Sequence, residues 1–303
     1  MSLADGKARR GVTPTSLLLL ATLALFWGLA WPAMKIVLDE MPVLGFRAIS
    51  CTSGALALLM ARLSGEPIRL PLRVLGPLVL VALLNVTCWQ ICMAYALTLM
   101  PAGRASIIAY TMPAFATLFG WLFLRERMTV ARLAGLALSM AGIGVLVAPE
   151  FDRFMTQPLG VLLMVMAAAG WAGGTVGMKY FRWPFSIMQN TGWQFALGGV
   201  PIVLVAIVAG SDPHLGTLSA RAWTALLYVL TFPILFCQWA WFKLIDMLPG
   251  SISAMGSLAI PVVGTLSAAL LLGETLEGSV LLALGLVVVG LALVVLRPAA
   301  AAP

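Results

Sequence analysis

Runs of about 20 apolar residues, each long enough to cross the ~30 Å hydrocarbon core of a bilayer as a helix, recur from one end of this 303-residue chain to the other. They lie at 15–37, 43–62, 74–98, 103–124, 130–148, 159–180, 187–209, 219–244, 250–272 and 277–296. Backbone groups surrounded by lipid must find their hydrogen bonds within their own segment, so these runs predict an all-α integral membrane protein of ten transmembrane helices. Charged residues make up 10% of the chain against 62% hydrophobic, a mixture foreign to soluble domains. The connections between spans are short, and function must therefore reside in the helix bundle. The first span follows Lys7, Arg9 and Arg10 but lacks a small-residue cleavage site, which predicts a retained helix and not a signal peptide.

Basic residues orient the spans. With the N-terminus inside, Lys35, Arg47, Arg104, Arg153 and Arg221 are left outside or near the outer ends, and the other 13 of the 18 Lys and Arg residues fall inside. Both termini are then expected to be cytoplasmic, in an inner (plasma) membrane of the bacterial type. The net charge of +7 is explained largely by this bias, which leaves little support for a nucleic-acid partner.

Several chemistries lack their residues. Cys51, Cys88, Cys92 and Cys237 lie inside apolar spans as packing residues. Cys88 and Cys92 share a helix face, but the single histidine, His214, falls in a loop, so no metal is assigned and no cofactor is expected. No GxxxxGK[ST] phosphate loop is present. All acidic residues fall in loops or at span ends, which argues against an intramembrane enzyme and predicts weak or absent ion coupling.

An internal repeat organises the chain. Residues 99–147 can be laid on 247–295 at a constant offset of 148, which pairs Pro113 with Pro261, Glu126 with Glu274, Gly142 with Gly290 and Gln90 with Gln238. Further upstream an offset of 144 matches Trp27 and Lys35 in WGLAWPAMK with Trp171 and Lys179 in WAGGTVGMK. Two repeats, 1–148 and 149–303, thus hold five spans each. An odd number of crossings inverts the second repeat relative to the first, a topology suited to alternating access around a site near the midplane.

The motifs WGLAWPAMK, TMPAFATLFGWLFLRERMT and IPVVGTLSAALLLGETL resemble those of the EamA-type members of the drug/metabolite transporter superfamily, over nearly the whole chain. The resemblance implies ten helices, cytoplasmic termini, two five-helix repeats and transport of a small-molecule substrate. In general pattern the chain is also similar to amino-acid exporters of the YddG kind. The expected function is export of amino acids or similar small amphiphilic metabolites; organic-anion or drug exchange and a non-transporting membrane protein are the alternatives.

Polar and aromatic residues inside spans mark the candidate substrate site, because a hydrogen-bonding side chain facing lipid is costly. Asn85, Gln90, Gln189, Asn190, Gln194 and Gln238 are of this kind, and the repeat partners Gln90 and Gln238 are expected to line a shared cavity, with interhelical glue as the alternative. Trp27, Trp89 and Trp171 lie near mid-span. Trp27, Trp31 and Lys35 share one helix face, as do Trp171, Thr175 and Lys179, which suits an amphiphilic solute bearing an anionic group. Bulky packing and snorkelling lysines are the competing explanations. Tyr110, from the YTMP motif, completes the set. Pro113 and Pro261 are candidate hinges. Glu126 and Glu274 end helices and are expected to serve as caps or in loop ion pairs. Glycine faces in spans six (Gly170, Gly173, Gly174, Gly177), five and ten (Gly135, Gly142, Gly285, Gly290) are expected to join helices, within one chain or between protomers of a homo-oligomer.

Overall fold

A computed structural model describes residues 13–65, 68, 70–125, 128–148, 158–237, 240 and 250–296. The regular structure among the described residues is helical, with no strand. Among the described residues, six stretches are long and apolar enough to cross a membrane: Pro14–Glu40, Val43–Leu63, Leu72–Leu99, Ala102–Leu124, Leu159–Tyr180 and Met188–Val208. Shorter apolar helices run over Leu133–Leu146, Ala259–Leu272 and Gly278–Leu293. The helices are α1 (Pro14–Glu40), α2 (Val43–Cys51), α3 (Ser53–Leu63), α4 (Leu75–Ala82), α5 (Trp89–Leu99), α6 (Ala102–Ala109), α7 (Met112–Leu124), α8 (Val130–Val147), α9 (Leu159–Tyr180), α10 (Ile187–Val208), α11 (Ala220–Thr231), α12 (Gly250–Leu272) and α13 (Gly278–Leu296).

Local chemistry sets several boundaries. Thr13 opens α1 through a capping box with Ser16, and Pro14 stands where no amide donor is needed. Ser186 and Ser219 cap α10 and α11 through the amides of Gln189 (3.2 Å) and Ala222 (3.1 Å). After α12 the chain turns through Gly273 at φ +70°, a conformation that side chains with a Cβ rarely adopt.

Besides a 3₁₀ turn at Leu72–Val74, two described segments are π-helical. Leu83–Cys88 joins α4 to α5 as a π-helical turn, and Phe232–Phe236 continues α11 as another. Under the 148-residue offset Leu84 falls on Phe232 and Cys88 on Phe236, so the two distortions occupy matching places in the two halves. α1 lies against α12, and α9 lies against α6 and α7. α10 packs on α2 and α3, and α8 on α13.

Without a hydrophobic drive inside lipid, helices associate where small residues let backbones approach. A Cβ on Gly290 would stand 2.7 Å from the Gly135 carbonyl oxygen, and one on Gly142 2.7 Å from Val287. Three of the four glycines considered for oligomer contacts are thus used between α8 and α13 of one chain, while Gly285 has no neighbour within 4 Å. Large apolar residues such as Leu72, Leu270 and Val208 are more than 80% exposed, which gives the bundle an exterior suited to lipid.

Candidate functional site

The first π-turn places its side chains against α9 and α10. Asn85 donates from Nδ2 to Gln194 Oε1 at 2.9 Å, and Gln194 Nε2 donates to Asn190 Oδ1 at 2.5 Å. Thr87 donates to the Gly198 carbonyl at 2.6 Å. Asn190 and Gln194 are buried and Asn85 half-buried, and the two end atoms, Asn85 Oδ1 and Asn190 Nδ2, have no hydrogen-bond partner among the described residues. An acceptor and a donor left open in the bundle interior cost free energy until something polar meets them. Space for this chain exists because α9 carries glycine: a Cβ on Gly174 would stand 2.1 Å from Asn85 Oδ1, and one on Gly170 2.7 Å from Cys88 Sγ. Next to this seam the Trp89 and Trp171 rings meet, centroids 6.5 Å apart and tilted by 54°. Gln90 follows directly and is buried.

The second π-turn faces α1. A π-turn leaves a backbone carbonyl without its usual helical donor, and here the Trp27 indole Nε1 donates to the Pro233 carbonyl at 3.2 Å. Tyr228 donates from its hydroxyl to the Phe26 carbonyl at 2.8 Å, and Phe26 packs on the rings of Phe232 and Phe236. Trp31 is buried, its ring against Gly264 of α12. The structure therefore pairs Trp89 with Trp171 on one seam and carries Trp27 and Trp31 on another.

The two lysines differ. Lys35 donates to the Leu97 carbonyl near the end of α5, so it caps a neighbouring helix. Lys179 is exposed in the last turn of α9. Tyr110 is buried at the junction of α6 and α7, where its N–H still bonds the Ser106 carbonyl but the Thr111 N–H turns to the Ile108 carbonyl three residues back. Pro113 stands in the first turn of α7, whereas Pro261 lies inside the uninterrupted α12. Gln238 and Glu126 lie outside the described residues. Arg47, placed by sequence near an outer span end, is wholly buried on α2, its guanidinium 4.4 Å above the Phe46 ring. An arginine four residues into an apolar run was the signal for it.

Contacts between chain-distant segments close one end of the bundle. Glu274 accepts the amides of Ala102 and Gly103, Arg104 pairs with Glu277 at 3.2 Å, Arg221 donates to the Leu271 carbonyl, and Glu40 accepts from Ser219. On the chain segments of the opposite helix ends lies a cleft of about 360 Å³ lined by Arg73, Val74, Arg182, Trp183 and Pro184. Among the described residues no group of three His, Cys, Asp or Glu side chains is arranged to hold a metal ion.

A helical bundle with apolar exterior, glycine-packed seams and uncommitted polar groups inside matches one family model. The EamA-like transporter family model matches residues 14–148 and again 158–296. The chain belongs to this family. It is a multi-pass membrane transporter and not an enzyme, with small-molecule substrates and the lipid bilayer as its partners. It is 32% identical over 283 residues, 91% of this chain and 90% of the relative, to the "Uncharacterized transporter YvbV" of Bacillus subtilis. A "Probable amino-acid metabolite efflux pump" of Salmonella typhimurium is 30% identical over 63% of this chain and 67% of its own length. A "Probable terminal-alkyne amino-acid exporter" of Streptantibioticus cattleyicolor is 25% identical, with 82% of each chain covered. A solved crystal structure, 22% identical, superposes with a TM-score of 0.65 over 93% of this chain and 97% of the other, a likeness of fold alone.

Proposed function

We propose that this EamA-family member is a secondary transporter that exports amino acids or similar small amphiphilic metabolites by alternating access. Ten spans, built from inverted five-helix repeats at 1–148 and 149–303, surround a midplane cavity, with both termini in the cytoplasm. The observation that carries this is the repetition of a π-turn at equivalent positions, Leu83–Cys88 and Phe232–Phe236, each two residues before a repeat-matched glutamine, Gln90 or Gln238. π-turns concentrate at functional sites because they expose backbone polar groups to partners other than their own helix.

In this account Asn85, Trp89, Gln90, Tyr110 and Trp171 from one side, and Trp27, Trp31 and Gln238 from the other, contact the solute, and Lys35 and Lys179 attract its anionic group. Pro113 and Pro261 flex. The closed end that holds Glu40 and Glu274 is then the external one, and the Arg73–Arg182 cleft opens to the cytoplasm. The printed names of two relatives, an amino-acid metabolite efflux pump and a terminal-alkyne amino-acid exporter, support amino acids as cargo.

The test is counterflow of radiolabelled amino acids in proteoliposomes. Saturable flux that Gln90→Leu and Trp27→Ala abolish, with thermal unfolding unchanged, is the expected result. Absence of flux for every amino acid rejects the cargo. The two arginines of the cleft favour organic anions as the second class of solute, and competition by carboxylates lacking an amine separates the two.

A further inference from the structure

We infer that Arg47 is the group that binds the substrate's carboxylate, an assignment that rests on the transport role proposed above and names the solute class as carboxylate-bearing. Arg47 is 2% exposed and heads the fully buried side chains of the bundle. Among the described residues its Nε has no hydrogen-bond partner, and its Nη2 reaches the Met34 thioether at 3.6 Å. Sulfur of this kind is a weak acceptor. Stacking of the guanidinium 4.4 Å above the Phe46 ring offsets part of the lost hydration but satisfies no N–H.

None of the described carboxylates compensates this charge. Glu40 is bound to Ser219, Glu277 to Arg104 and Asp212 to His214, Glu274 caps α6, and Asp39 is exposed in the last turn of α1. A charge taken out of water without an anionic partner is strongly destabilising, and an arginine at membrane depth is retained where it pairs with something. Nε and Nη2 form one straight edge of the guanidinium, the edge that takes both oxygens of a carboxylate at once. On Arg47 that edge meets, among the described residues, no acceptor at Nε and the Met34 sulfur at Nη2.

Position strengthens the assignment. Met34, the contact of Nη2, follows Trp31 by three residues on α1, so the cation lies about one helical turn beyond the Trp27–Trp31 pair, toward the end of the bundle that the Glu274 and Glu40 contacts close. α2 also packs against α5, the helix of Trp89 and Gln90. An amphiphile with its apolar part along the tryptophans would carry its carboxylate to Arg47. Lys35, beside Met34, already spends one donor on the Leu97 carbonyl, whereas the Nε of Arg47 meets no acceptor among the described residues.

The experiment is counterflow in proteoliposomes with intact protein, Arg47→Lys and Arg47→Met, using phenylalanine and leucine, their carboxamides, their carboxylate-free amines, and the deaminated acids. Wild type is expected to take the carboxylates in preference to the carboxamides. Arg47→Met loses that preference, and Arg47→Lys, which keeps charge but not the two-pronged edge, raises KM for the carboxylates about tenfold with kcat little changed. The ratio of acid to carboxamide uptake is the deciding readout, since a purely structural arginine would lower both together. Carboxylate transport by folded Arg47→Met at the wild-type KM overturns the assignment. So does wild-type transport restricted to amines or carboxamides, which leaves the transporter reading intact. No flux of any of these compounds overturns both.

Discussion

Glu274 and Gly103 lie 171 positions apart in the chain and 2.9 Å apart in space, the carboxylate Oε2 accepting the glycine's backbone N–H. Its other oxygen takes the amide of Ala102, so one side chain just past the end of α12 satisfies two of the three orphan donors that begin α6, whose N-cap Pro101 has no N–H. The carboxylate also meets the positive end of the helix dipole.

Replacing Glu274 by alanine is accordingly expected to cost about 1–2 kcal/mol. Thermal unfolding of the purified protein in detergent checks this, with Glu274→Gln, which keeps one acceptor, falling between. An alanine variant that melts with the wild type would show that water replaces the cap without loss.

Gly174 is expected to tolerate no side chain. The Cβ of Gly174→Ala would overlap the Asn85 amide at 2.1 Å, turn it away from Gln194 and destabilise the fold by about 1–3 kcal/mol. Gly76→Ala, on α4 with open space around it, serves as the control and should be neutral or mildly stabilising. Combining Gly174→Ala with Asn85→Ala should recover part of the loss, because the pair shares one contact.

The repeat-matched prolines should respond differently. Pro113 occupies a first helical turn, where its missing N–H has no intrahelical acceptor, and Pro113→Ala is expected to change stability by less than about 0.5 kcal/mol. Pro261 interrupts the ladder of a continuous helix, so Pro261→Ala adds a hydrogen bond and should raise the melting temperature while slowing counterflow, if bending of α12 accompanies transport. Equal effects of the two changes on flux would remove any functional meaning from this asymmetry.

Trp27→Phe keeps a ring against its neighbours but deletes the donor to the Pro233 carbonyl. About 1 kcal/mol of stability should go with it. Trp31→Phe, at a buried ring with no such bond among the described contacts, is the comparison; a larger loss there than at Trp27 would mean that ring volume, not the indole N–H, sets the cost.

Much of the architecture was legible before any contact was known. Apolar runs of membrane length, and the matches of Pro113 with Pro261 and of Gln90 with Gln238, come from residue spacing alone. Glycine faces signalled close packing, and α9 does lie against the first π-turn through Gly170 and Gly174. Glu274 was expected to cap or pair at a helix end, and it caps α6. Which helix it would cap was not legible, since the carboxylate crosses from one half of the chain to the other. Asn190 and Gln194 were recognisable as buried polar residues, but their linkage to Asn85 was not.

The sequence by itself determined that this chain lives in a bilayer, that it is helical, and that its halves echo each other, because lipid leaves the backbone few options and a repeat is visible as spacing. Only the tertiary structure decided which faces turn inward. Spans that are apolar on all sides carry no hydrophobic asymmetry to orient them, and in lipid the choice falls to shape and to a few polar atoms contributed by segments far apart in sequence. Asn85 finding Gln194, Trp27 finding Pro233, and Arg47 being left among a ring and a thioether are outcomes of that packing.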